Sequence, residues 1–86
     1  MRQLITYDVL EEAWERSRAK MTKRRNQKGN ESIISKHEAL GIISEEYHEF
    51  VDAVHEGNIK AIQEEMIDLA VAAIFSYASS HFFEEW

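Results

Sequence analysis

The sequence predicts an all-α protein: a helical bundle of about three helices per protomer, completed by homo-oligomerisation. Three observations lead there. The chain has no proline and only three glycines, so strong turn punctuation is scarce and a few long helices are favoured over many short strands. Apolar residues recur at i, i+3/i+4 spacing in three long stretches, separated by breaks at 26–30 and 56–58. The third stretch is apolar nearly all round, which two neighbouring helices cannot cover. At 86 residues the chain is one domain, 1–86, with a marginal core of its own.

The first helix is expected over about 8–25. Asp8 and Glu11 loosely match capping-box spacing, with Thr6 as a rival cap. Val9, Leu10, Ala13, Trp14 and Met21 form its apolar stripe, with Ser17 between them. Acidic residues come early and basic ones late, an order that suits the helix dipole. Gly29 and Asn30 are expected to take positive φ and end it. Ser32 is then the expected cap of a second helix, over about 32–55. Glu56-Gly57-Asn58 is short enough to make the flanking helices antiparallel neighbours. The third helix is expected over about 59–82. The aromatic and acidic tail, 81–86, is expected to dock on a partner subunit or to fray.

Composition excludes several classes. Without cysteine there is no disulfide, thiolate metal site or thiol nucleophile. No run approaches the ~18 apolar residues of a membrane span, and the N-terminus lacks the apolar core of a signal peptide. A cytoplasmic protein with no membrane partner is expected. The net charge of −6 hides an asymmetry: residues 1–28 carry eight basic and four acidic side chains, and the rest carry two and twelve. A uniformly basic nucleic-acid binder does not look like this, so no nucleic-acid partner is expected. An acidic metal site with a basic segment nearby does.

Two acidic stretches, Glu45-Glu46-Tyr47-His48-Glu49 and Glu64-Glu65-Met66-Ile67-Asp68, organise the chain. Each places two carboxylates three residues apart, neighbours on one helical face about 4.5 Å apart along the axis. Around the second helix, Glu46 falls in the middle of the arc formed by Ala39, Ile42, Ile43, Phe50, Ala53 and Val54, with Glu49 at its edge. Asp68 is the only charge between Met66 and Ala78. Surface helices are rich in glutamate, so one such pair means little. Two pairs on consecutive helices, with Glu46 and Glu65 inside apolar arcs, mean more. A buried carboxylate needs a positive partner or protonates. A divalent cation meets that need, and all-oxygen ligation favours magnesium, manganese or calcium over zinc or copper.

The pattern Glu45-Glu46-x-x-Glu49, then Glu64-Glu65-x-x-Asp68 followed by an apolar helix, resembles the MazG-like superfamily of all-α nucleoside triphosphate pyrophosphatases. The fifteen-residue interval from Phe50 to Glu64 fits, as does the lead-in His37-Glu38-Ala39-Leu40-Gly41-Ile42-Ile43. The likeness runs over roughly 32–77. It implies a homodimer or homotetramer that binds Mg2+ (or Mn2+) through Glu46, Glu49, Glu65 and Asp68. It implies hydrolysis of a nucleoside triphosphate to the monophosphate and pyrophosphate, with Glu45 and Glu46 as the catalytic carboxylates and Glu45 or Glu64 holding outer water. Many relatives take their phosphate contacts from a segment after the second motif. Here a clamp is expected from Lys20, Lys23, Arg24, Arg25 or Lys28, or from another subunit. Trp14 is expected in the core, with stacking on a base as the alternative.

Two rival functions remain. One is a non-catalytic nucleotide- or metal-binding module of the same fold. The other is a di-iron site, since Glu45-x-x-His48 and Asp52-x-x-His55 have a bundle-metal spacing. His37, His48 and His55 project opposite Glu46, which counts against it.

Overall fold

The structure, a computed structural model, describes residues 1–84. Three helices and one short turn make up its regular structure: α1 (Tyr7–Lys28), α2 (Lys36–Glu56), α3 (Ile59–Ser79) and a 3-10 turn, Ser80–Phe82. No strand occurs among the described residues. The all-α expectation holds at this level. Glu85 and Trp86, the end of the aromatic and acidic tail, lie outside the described residues.

Thr6, and not Asp8, starts α1. Its hydroxyl accepts from the Val9 N–H at 3.4 Å, so Asp8 is left in the first turn, where its charge suits the dipole. The helix continues to Lys28, one turn beyond the expected end. Gly29 closes it at φ 85, its N–H donating to the Arg25 carbonyl. Asn30 does not share the positive φ. Its Oδ1 accepts from Arg25 Nε at 2.7 Å instead.

Ser35, and not Ser32, caps α2. Its hydroxyl accepts from the Glu38 N–H, and the Glu38 carboxylate accepts from the Ile34 N–H, an arrangement close to a capping box. The residues expected to open the helix run extended, because Ile33 has somewhere better to go. It is buried, and its N–H donates to the equally buried Ser79 hydroxyl at 3.0 Å. The linker is thereby pinned to the far end of α3. Gly57, in the left-handed region at φ 79, ends α2 with bonds to the Ala53 and Val54 carbonyls. Asn58 caps α3 at once through the N–H groups of Lys60 and Ala61. The third helix stops at Ser79, and the expected last turn tightens into the 3-10 form.

The α3 helix is the centre of the protomer, with α2 folded back along it and α1 packed against it as well. Ion pairs set the α1 register: Arg16 reaches Glu64 and Lys20 reaches Asp68. Arg24 lies over the Phe75 ring at 3.7 Å. Successive α1 residues meet successive α3 residues, so these helices run parallel.

The buried apolar core is small: Ile33, Ala39, Ala53, Val71 and Ala72. The expected α1 stripe docks only in part within the protomer. Val9, Leu10 and Trp14 are exposed, and only Ala13, Ser17 and Met21 are half-buried. Met66, Ile74 and Tyr77 of α3 are exposed as well.

Candidate functional site

The hairpin of α2 and α3 brings three of the expected carboxylates together. One oxygen each of Glu46, Glu49 and Glu65 lies within 4.8 Å of the others. The local cause is the apolar pattern. Ala39 and Ala53 of α2 seat that helix against α3, and Glu46, two turns before Ala53, faces the same way. Glu49 stays exposed at the edge of this face and leans back to the other two.

Glu46 Oε2 and Glu65 Oε2 are buried and accept no hydrogen bond. Burial raises the Glu46 pKa from 4.5 to about 7, reinforced by the charges of Glu49, Asp68 and Glu65. Burial also raises Glu65, with Asp68 and Glu49 adding to it and Lys20 opposing. These acids repel one another in a place that desolvates them. Orphaned carboxylate oxygens converging on one point fit a hard divalent cation, whose opposite oxygen ligands stand about 4–5 Å apart at bond lengths of ~2.0–2.6 Å.

Asp68 lies close enough to raise both Glu46 and Glu65. Its Oδ1, however, faces Lys20 Nζ at 3.0 Å, outside the three-carboxylate cluster. The hydrogen bond to Asp68 is the largest cause of a raised Lys20 pKa. Glu64 is likewise engaged, 3.5 Å from Arg16 and 3.7 Å from Lys20.

A cleft of about 320 Å³ opens beside the carboxylates, where α1, α2 and α3 meet. Glu45, Glu46 and Asp68 form its acidic wall, and Lys20, Lys23, Arg24 and Lys28 its basic wall. Ile42, Val71 and Ala72 make the apolar floor. Lys23 and Lys28 have no ion-pair partner among the described residues. Arg24 is half-buried on Phe75, and burial lowers its pKa.

Two expected substrate residues are elsewhere. Arg25 points the other way, to Asn30. Trp14 is neither in the core nor at the cleft: it is 44% exposed and packs edge-on against Tyr7 at 5.8 Å. The histidines also stay outside. His37, His48 and His55 are exposed, and His48 Nδ1 contacts its own helix at the Ser44 carbonyl.

Gln27 lines the cleft and was not anticipated. The signal was present: Lys20, Lys23, Arg24, Gln27 and Lys28 follow i, i+3, i+4, i+7, i+8 spacing, one face of a helix. No helix among the described residues is long and apolar enough to cross a membrane. No family model, curated protein or solved structure matches the chain.

Proposed function

We propose that the protein is a magnesium-dependent nucleoside triphosphate pyrophosphohydrolase, releasing the nucleoside monophosphate and pyrophosphate. The carrying observation is the convergence of Glu46, Glu49 and Glu65 oxygens beside a cleft whose opposite wall is cationic. The two acidic motifs, which resemble those of MazG-like pyrophosphatases, give the same reading. When bound, the cation supplies charge neutralisation at phosphate oxygens and a more acidic water.

Glu46, Glu49 and Glu65 would hold that cation, and Asp68 is the fourth candidate ligand. Lys23 and Lys28 would take the anionic phosphate chain from the basic wall, as point charges able to follow it. Glu45, exposed at the cleft, would orient water or accept its proton. The apolar floor excludes water behind the phosphates. Phosphoryl transfer asks for such positioning and charge stabilisation more than for a protein nucleophile.

Self-association belongs to the same proposal. The protomer exposes 6958 Å², against about 5,300 Å² for a compact monomer of this mass. Its radius of gyration is 14.5 Å, against about 12 Å for a compact domain of this length. The excess surface carries Tyr7, Trp14, Tyr47, Met66 and Tyr77. A second copy burying these faces would give the small core what it lacks.

The test is hydrolysis of ribo- and deoxyribonucleoside triphosphates with magnesium. Glu46→Gln and Glu65→Gln should each abolish pyrophosphate release, and release that survives both changes overturns the site. A second reading, a nucleotide- or cation-binding module without turnover, is favoured by the engagement of Asp68 with Lys20. Tight binding of nucleotide with no product across the panel would select it.

A further inference from the structure

Lys20 occupies a position that neither a plain ion pair nor a plain phosphate clamp explains. Its ammonium lies 3.0 Å from Asp68 and 3.7 Å from Glu64, on the boundary between the carboxylates and the basic wall. Asp68 carries the charge that completes the pattern of four acids, yet its Oδ1 faces Lys20 and it is not among the three whose oxygens converge. Both side chains keep some solvent contact, 30% for Lys20 and 21% for Asp68. The Lys20 ammonium therefore has room to turn from Asp68 into the cleft, although Asp68 Oδ1 itself is buried.

We propose that Lys20 is an exchangeable counter-ion: it holds Asp68 while no cation is bound, and passes to the substrate's phosphate when a divalent cation takes Asp68. This rests on the metal-centre reading above and adds a coupling to it. An entering cation must compete with an ammonium already in place, so cation binding alone is weakened. A phosphate chain in the cleft gives the displaced ammonium a new partner of the same sign as the old one. Lysine suits the exchange, as a compact charge on a flexible four-carbon stem. Cation and phosphate then strengthen each other's binding by one shared factor, as linkage requires. A static pair that only docks α1 on α3 would produce no such coupling.

The experiment measures Mn2+ affinity of the full chain by calorimetry, with and without a non-hydrolysable imidotriphosphate analogue. Wild type should bind Mn2+ weakly alone and more tightly with the analogue. Lys20→Met should bind Mn2+ alone severalfold more tightly, up to about fivefold, the worth of one broken competing pair, and lose a similar factor of the enhancement. Lys20→Arg, which can still hold Asp68, should bind Mn2+ alone no more tightly than wild type. Circular dichroism checks that each variant keeps its helices. Unchanged or weaker Mn2+ binding by a folded Lys20→Met overturns the proposal, and so does tighter binding by Lys20→Arg, the variant that decides if the methionine form fails to fold. Mn2+ binding that needs Glu46 but ignores Lys20 overturns this inference alone. Coupling without any hydrolysis overturns the enzymatic reading alone. No Mn2+ binding in any form overturns both.

Discussion

Glu46 and Glu65 stand on different helices, yet each has a buried, unbonded carboxylate oxygen, and one oxygen of each lies within 4.8 Å of the other. Burial raises both pKa values, the charge of Glu65 adds to the rise at Glu46, and neither has a cation of the protein as its direct partner. A fold that keeps two such groups together gives up stability for the site they form.

Glu46→Gln should therefore stabilise the cation-free protein, by roughly 1 kcal/mol at about pH 8, because a neutral amide replaces a desolvated charge of the same shape. Thermal or urea unfolding measures it. The same change should remove the stabilisation that magnesium gives the wild type. A gain without that loss would separate Glu46 from cation binding.

The pH dependence has a definite sign. Glu46 titrates near 7 when folded and near 4.5 when unfolded, so the folded chain binds the extra proton between them. Stability of the cation-free protein should fall as pH rises from about 4.5 to about 7, and then level off. Glu65, also raised, acts in the same direction. Lys20, raised above 10.5, contributes stability that is lost only at higher pH and leaves this window alone. Magnesium competes with the proton, so its affinity should rise over the same window. Urea titrations at stepped pH, with and without magnesium, check both trends.

On the basic wall, Lys23→Ala and Lys28→Ala should each lower kcat/KM for a triphosphate by about tenfold, the worth of one charge-assisted contact. Neither should change stability much, since neither side chain has an ion-pair partner among the described residues. Arg25→Ala, whose side chain turns to Asn30, should leave kcat/KM unchanged. Steady-state kinetics across the three variants distinguishes a directed cleft from general attraction of anions.

Self-association should depend on the exposed aromatic faces. Sedimentation should give at least twice the 10.1 kDa chain mass. Trp14→Glu, which places a charge on the uncovered α1 stripe, should shift the protein toward monomer and lower its stability. A wild-type monomer at micromolar concentration would remove this part of the account.

Much of this was legible in the sequence. The Gly57-Asn58 turn and the long apolar runs fixed the α2 and α3 hairpin, and helical spacing put Glu46 on the buried side. The rest depended on contacts between distant segments. Ile33 sinks against Ser79 instead of opening a helix, a choice local propensity does not contain. Asp68 was expected among the ligands because it sits in the most apolar run. The parallel docking of α1 gives it Lys20, and the register of two helices far apart in sequence is invisible to periodicity. Trp14 lies on the part of the α1 stripe that α2 and α3 leave exposed, and a stripe does not say what covers it.

The central claim is cleavage between the α and β phosphates by a cation held at Glu46, Glu49 and Glu65. Phosphorus NMR of a nucleoside triphosphate panel incubated with the protein and magnesium tests it most directly. The account predicts monophosphate and pyrophosphate in equal amounts, with no inorganic phosphate, and no products after chelation or with Glu65→Gln. Diphosphate with inorganic phosphate, or turnover unaffected by chelation and by Glu65→Gln, would contradict it.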